Sequence, residues 1–188
     1  MYRSFFKRLL DIVSSATALV LLSPLMLVIG ILVYLEDRGP VIFKQKRVGK
    51  DGALFNVLKF RSMPENIGDV ESAKADGLPI TRIGRLIRRT NMDELPQLVN
   101  VLRGNMSLVG PRPPIPSQKK LCLMRVDNGS MSCLPGLTGL AQVNGYDGMP
   151  DTEKAKWDGV YASRISLLTD LRIILRTFGY LRRKPPVY

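Results

Sequence analysis

Residues Ile12 to Leu35 form a 24-residue run without a charged side chain, interrupted near its middle by Ser23-Pro24. About 20 apolar residues cover a hydrocarbon core of roughly 30 Å, so a run of this length belongs in a bilayer. Two details separate it from an ordinary spanning helix. Pro24 has no amide proton for the carbonyl four residues back, and its ring pushes Ser23 away from helical angles. Both flanks are basic, with Arg3, Lys7 and Arg8 before the run and Arg38, Lys44, Lys46, Arg47 and Lys50 after it. A spanning helix normally carries its Lys/Arg excess on one side only. Each apolar half is about 12 residues, or roughly 18 Å of helix, which reaches only part way through a bilayer. A kinked spanning helix and a re-entrant helix-break-helix both remain open. In either one, hydroxyls of Ser14, Ser15 or Ser23 could pair the freed carbonyls.

The chain has 188 residues, which leaves room for one domain of ordinary size behind this segment. The reading is therefore a membrane segment at 1–38 and a single domain at 39–188. Lys and Arg total 28 against 16 Asp and Glu, for a formal charge of +12. That surface suits anionic partners such as acidic lipid headgroups, phosphate-bearing substrates or nucleic acid. Histidine is absent. This excludes His general bases, Ser-His-Asp triads and His-containing zinc sites. Cys122 and Cys133 lie eleven positions apart and read as reduced thiols in a cytosolic setting. The apolar run is too long for a signal-peptide core and continues into Leu35-Glu36-Asp37-Arg38 without a small-residue cleavage site, so it reads as retained.

Tyr2 to Asp11 reads as the first turns of the membrane helix, with Lys7, Arg8 and Asp11 at headgroup level. Residues 41–60 alternate as VIFKQKRV and ALFNVLKF around Gly49-Lys50-Asp51-Gly52, a β-hairpin signal. Pro64 to Pro79 is polar and reads as an exposed loop. Thr81 to Thr90 places Ile83, Leu86 and Ile87 at helical spacing among Arg82, Arg85, Arg88 and Arg89. Asn91 can cap a second helix with Asp93 and Glu94 in its first turn and Leu95, Leu98, Val99 and Leu102 on one face, ending at Gly104. LVGPRPPIP and PGLTGLAQVNG follow as stiff, proline- and glycine-punctuated segments. Near the C-terminus, 164–184 carries a stripe of Leu167, Leu168, Leu171, Ile174, Leu175, Phe178 and Leu181. Arg172, Arg176, Arg182, Arg183 and Lys184 lie off that stripe, as in a helix in a membrane interface. The expected fold is α+β: mainly helical, with a small β-hairpin and amphipathic interfacial helices.

Asp93-Glu94 is the compact carboxylate pair set next to abundant positive charge. Neighbouring helix positions diverge by about 100°, so both carboxylates can reach one small volume. Such a pair can hold Mg²⁺ together with substrate phosphates, and an aspartate can act as a covalent nucleophile. Acidic residues in a first helical turn also simply favour the helix dipole. Lys59 and Arg61 in KFRSM, the arginines of 85–89 and Arg112 are candidate phosphate-reading groups. Pro111 and Pro113 hold Arg112's backbone stiff, which lowers the cost of ordering its fork. No Walker A, G-x-G-x-x-G or D-x-D sequence is present.

The combination of Ser-Pro in the membrane run, KFRSM, DELPQLVNVLRGNMSLVGPRP and PGLTGLAQVNG resembles the monotopic polyprenyl-phosphate phosphoglycosyltransferases, the bacterial sugar transferase family that starts surface-glycan assembly. The resemblance runs from Lys7 to about Asp170. It implies that Ser23-Pro24 is the break of a re-entrant helix with both ends at the cytoplasmic face of the inner membrane. It implies that Asp93 attacks the β-phosphate of a UDP-sugar, releasing UMP, and that a polyprenyl phosphate (undecaprenyl phosphate in bacteria) then takes the phosphosugar. Glu94 would be the dyad partner, helping to hold Mg²⁺. Lys59, Arg88 and Arg112 are suited to the phosphoryl charge, and Gln142 to a polar contact near the sugar-nucleotide. Where some relatives have an arginine after VNG, this chain has Tyr146 and Asp147, which leaves the choice of sugar open.

The rival expectation is a non-enzymatic, membrane-anchored protein that binds anionic lipid or nucleic acid. The aromatics sit mostly in apolar runs rather than among exposed basic residues, so no nucleic-acid partner is expected. The expected partners are a UDP-sugar, polyprenyl phosphate and membrane lipids, with self-association left open.

Overall fold

The apolar run lies within one helix, α1 (Lys7–Asp37), entered through a π-helical turn at Tyr2–Phe6. The computed structural model describes residues 2–64, 79–145 and 149–181, without the side chains of Ser4, Tyr180 and Leu181. The expected loop between Pro64 and Pro79 falls almost wholly outside these residues, as do Tyr146, Asp147 and the basic 182–184. Helical structure continues through Pro24. The carbonyl that position 24 would otherwise bond is that of Val20, and Ser23 Oγ donates to it at 2.8 Å. Serine therefore supplies the hydrogen bond that proline removes. Arg38, in a left-handed conformation, ends α1 by donating its amide to Tyr34 O.

Both ends of α1 dock on the same domain. At the start, Arg8 donates to the carbonyls of Val101 and Leu102 at 2.6 and 2.8 Å, and buried Asp11 accepts the amide of Leu108 at 3.0 Å. Lys7 Nζ and Tyr2 Oη both reach Asp170 Oδ2 at 2.7 Å. At the far end, Glu36 accepts the amides of Arg82 and Ile83, and Asp37 pairs with Arg61. Ile29 and Val33 are buried beside Phe60 and Ile87. The outer face between these anchors is apolar and open, with Val20 and Leu21 each 73% exposed. Lys7, Arg8 and Asp11 are thus also tertiary anchors, contacts that the sequence reading did not include.

The hairpin forms as expected. β1 (Ile42–Val48) and β2 (Leu54–Phe60) are antiparallel, with Ile42 opposite Phe60 and Val48 opposite Leu54. Asn100 bolts it to the next layer. Its Oδ1 accepts from Leu58 N and its Nδ2 donates to Asn56 O, while the residue is 1% exposed. α2 (Arg82–Arg89) is capped by Thr81 Oγ1, which accepts from Gly84 N. The carboxylate of Glu36 also sits at this helix start, where the dipole favours negative charge.

The sequence expectation of one helix capped by Asn91 needs correcting. Asn91 is left-handed, with φ 54°, and makes no side-chain cap. A 3-10 turn follows at Met92–Glu94, and the α-helix proper, α3 (Gln97–Leu102), begins only after Pro96. Pro96 has no amide for the carbonyl of Met92, so Leu95 N takes it at 3.2 Å instead.

The two punctuated motifs pair with each other. β3 (Ser107–Val109) runs parallel to β4 (Gly136–Thr138), and α4 (Lys119–Asp127) lies between them in sequence. Glycine is required at this crossing. A Cβ on Gly136 would lie 2.1 Å from Gly110 N, and one on Gly139 would lie 2.1 Å from Gly110 O. α5 (Leu140–Asn144), α6 (Asp151–Ser163) and α7 (Leu167–Leu181) complete the chain. α7 buries Asp170 and Ile173 and turns Leu168, Leu171, Leu175 and Phe178 outward, leaving most of the expected apolar stripe open; Ile174 instead packs inward.

Asn100→Ala strips both partners from the hairpin's inner edge and leaves buried backbone groups unpaired. It should destabilise the protein by about 1–3 kcal/mol in chemical denaturation.

Candidate active site

Pro96 and left-handed Asn91 hold residues 92–94 as an isolated turn between α2 and α3. Met92 and Leu95 pack on the cluster of Ile29, Val33, Phe60 and Ile87, which fixes the turn from its apolar side. Asp93 is buried at 7% exposure, and Glu94 next to it is partly buried. Lys59, one residue from the end of β2, donates to Glu94 Oε1 at 2.7 Å. Arg112, between its two prolines, donates to the same oxygen at 3.0 Å. Arg88 from the last turn of α2 adds positive potential at Asp93. Three of the residues singled out from sequence, Lys59, Arg88 and Arg112, therefore act on one carboxylate pair. A narrow pocket here is lined by Arg47, Val57, Lys59, Glu94, Gln97, Arg112 and Pro113.

The two carboxyls are driven apart in acidity. Burial pushes Asp93 up from 3.8 to about 6; Lys59 opposes this, the charge on Glu94 adds to it, and Arg88 and Arg112 also oppose it. Burial would raise Glu94 too, but the charges and hydrogen bonds of Arg112 and Lys59 outweigh it and hold Glu94 well below the usual carboxylate range. At neutral pH both are ionised, Glu94 within a salt-bridge network and Asp93 without a hydrogen-bond donor among the described residues.

This donor set fits a hard cation. Asp93 keeps its oxygens uncommitted, and the described residues contain no group of three or more acidic, cysteine or histidine ligands. One or two carboxylates completed by substrate phosphates is the usual Mg²⁺ arrangement.

Gln142 lies apart from this pocket's lining. Its Nε2 donates to Leu137 O at 3.0 Å, and its buried Oε1 faces Gly139. Sequence reasoning missed two features. Gln45 and Arg47 turn inward from β1 and bond each other, and Arg47 also donates to Pro113 O at 3.1 Å. Polar residues on both faces of VIFKQKRV were the available signal. Arg125 of α4 reaches Asp158 of α6 through Nε and Nη2 at 2.9 and 2.6 Å, and its Nη1 donates to the carbonyl of Arg112 at 2.9 Å. Two residues 33 apart on different helices leave no sequence signal for such a strap.

The family model described as bacterial sugar transferase matches residues 2–184, and the chain belongs to this family. It is 42% identical over 92% of its length to a UDP-glucose:undecaprenyl-phosphate glucose-1-phosphate transferase of Klebsiella pneumoniae, spanning 39% of that protein. It is 42% identical over 91% of its length to the exopolysaccharide production protein PSS of Rhizobium leguminosarum bv. phaseoli, spanning 92% of it. A UDP-N-acetylgalactosamine-undecaprenyl-phosphate N-acetylgalactosaminephosphotransferase of Aeromonas hydrophila is 38% identical over 93% of the chain, which spans 43% of that relative.

Because Asp93's folded-state pKa lies above its unfolded value, its ionisation opposes folding. That penalty is absent below about pH 4 and complete above about pH 6. Asp93→Asn should therefore stabilise the protein above pH 6 by up to about 3 kcal/mol, with the gain vanishing near pH 4. Thermal unfolding across pH, in chelator, measures it.

Proposed function

We propose that the protein transfers a phosphosugar from a UDP-sugar to a polyprenyl phosphate, in two steps through Asp93. The observation that carries this reading is the split dyad: an uncommitted, buried carboxylate beside one clamped by Lys59 and Arg112, with Arg88 close by. A merely helix-stabilising acidic turn needs no such ring of cations. In the first step an Asp93 oxygen attacks the β-phosphorus of the donor. The bond from that phosphorus to the bridging oxygen breaks, and UMP leaves with the electron pair, so an acyl phosphate joins Asp93 to the sugar. In the second step a phosphate oxygen of the polyprenyl phosphate attacks the same phosphorus and the Asp93 carboxylate is released. Lys59, Arg88 and Arg112 meet the phosphoryl charge in both steps, and burial keeps water from the acyl phosphate. Asp93 and Glu94 would hold a bound Mg²⁺, which would supply charge neutralisation at the diphosphate. The sugar is unassigned. The Klebsiella and Aeromonas relatives are named for UDP-glucose and UDP-N-acetylgalactosamine, and donors of that chemical kind are the ones to screen.

The anchoring of α1 supports a re-entrant placement. A straight 31-residue helix measures about 46 Å, longer than the hydrocarbon core. Both of its ends are bonded to one domain, which supports placing them on the same side of the bilayer. The open apolar face around Ser23-Pro24 then enters one leaflet, with the domain on the cytoplasmic side of a bacterial inner membrane.

With a labelled UDP-sugar and Mg²⁺ but no lipid acceptor, label should become trapped on the wild type and UMP should be released. Asp93→Asn should lose both, and turnover with acceptor should fall at least about 10³-fold. Equal turnover by the two proteins would overturn the nucleophile assignment. For the membrane placement, cysteines introduced near Arg3 and near Lys50, in a background lacking Cys122 and Cys133, should react with an impermeant thiol reagent from the same side. Opposite-side labelling would sink the re-entrant arrangement.

A further inference from the structure

A cavity of about 120 Å³ lies at the amino end of α1 and shares no lining residue with the Glu94 pocket. Arg3, Lys7 and Arg8 from the start of the chain form part of its wall, and Lys50 arrives from the turn of the β-hairpin. Among the described residues, four cations thus converge from two segments far apart in sequence, against the single lining carboxylate of Asp11. Fold-making bonds account for two of them. Lys7 pairs with Asp170, and Arg8 is committed to the carbonyls of Val101 and Leu102. The other two are not accounted for this way. Arg3 spends one donor on Ser132 Oγ at 3.2 Å, and the ammonium of Lys50 makes no hydrogen bond or ion pair among the described residues, only its carbonyl accepting from Ala53 N. With only Asp11 and Asp170 set against these four positive charges, the cavity keeps an excess of positive charge that an added anion would offset.

The chemistry matches a phosphate group. A guanidinium fork and an ammonium offer several donors, and the volume admits one phosphoryl group with a few waters. The depth matches a lipid. The cavity sits where α1 begins to expose Leu9, Leu10, Ile12 and Val13, at the step from polar wall to apolar helix. We propose that this cavity is a second phosphate site, separate from the catalytic one, that seats the phosphodiester of an anionic membrane lipid where α1 enters the bilayer. This rests on the membrane placement of α1 proposed above and not on the transfer chemistry. A lipid held there would brace the amino end of α1 against the hairpin turn.

The test uses the full chain in phosphatidylcholine nanodiscs doped with phosphatidylglycerol, released into native mass spectrometry. The wild type should retain one phosphatidylglycerol per chain. Replacing both Arg3 and Lys50 by Gln should reduce retention about tenfold or more, while thermal unfolding stays close to wild type because both side chains are exposed. Replacing exposed Lys119 and Lys120 by Gln removes the same charge from the start of α4 and should leave retention unchanged. Asp93→Asn should retain the lipid like wild type, which separates this site from the transfer reaction. Equal losses in the two double variants would reduce the effect to diffuse surface attraction and overturn the proposal. Undiminished retention in the Arg3 and Lys50 variant would overturn it as well. Release of the lipid by millimolar inorganic phosphate as readily as by excess phosphatidylglycerol would overturn the lipid assignment in favour of a free-anion site.

Discussion

A carboxylate in an apolar helix is costly unless something pairs with it, and the amide of Leu108 meets Asp11 at 3.0 Å. That bond and its neighbours decide where α1 lies. Arg8 reaches the last carbonyls of α3, which have no partner inside their own helix. Lys7 and Tyr2 meet Asp170, whose other oxygen lies 2.9 Å from Tyr161 Oη. One polar cluster thus ties the beginning of α1 to α3, β3, α6 and α7. The hydrophobic effect alone cannot do this, because a helix this apolar gains as much from lipid as from the domain. Directional bonds select the docked arrangement.

The same anchoring reaches the site. The far end of α1 packs Ile29 and Val33 on Phe60 and Ile87, the cluster that also receives Met92 and Leu95. The turn that carries Asp93 and Glu94 therefore rests partly on α1, and a shift in one displaces the other. Arg112 is held from behind. Its guanidinium meets Glu94, while its carbonyl is gripped by Arg125, itself locked to Asp158 of α6, which is 1% exposed. The chain between two prolines is thereby fixed at both backbone and side chain, and little ordering would remain for the binding of the phosphate proposed above.

How much of this was legible in the sequence depended on the range of the interaction. The hairpin followed from alternation and a glycine turn, but its register did not: Val48 pairs with Leu54, one residue beyond the pairing that a four-residue turn at Gly49–Gly52 would give. Ser23-Pro24 was readable because its chemistry is local: the proline frees a carbonyl and the adjacent hydroxyl takes it. The turn at 92–94 was misread as a helix start because the acidic first turn outweighed Pro96, whose missing amide stops the ladder. Asp93, Glu94, Lys59, Arg88 and Arg112 could be named as types of group, but their convergence is a property of packing. The Arg125–Asp158 strap and the capping of α3 by Arg8 were invisible for the same reason. Either arginine reads equally well as a solvated surface charge.

The opposed acidities of Asp93 and Glu94 show why two adjacent carboxylates need not be redundant. Placed in one turn, they would repel each other and share whatever cations approach. Here Lys59 and Arg112 both converge on Glu94 Oε1 and leave Asp93 without a donor among the described residues. Glu94 therefore works as the fixed negative post that keeps the lysine and arginine in place. Asp93 is buried enough to be less stabilised as an anion and remains uncommitted, the condition a nucleophilic carboxylate requires. Exchanging the two residues would preserve composition and net charge but reverse this division. The longer side chain would then sit at the buried position and the shorter one would have to span the distance to both cations. The electrostatic division at this site depends on order within a dipeptide as much as on the presence of two acids.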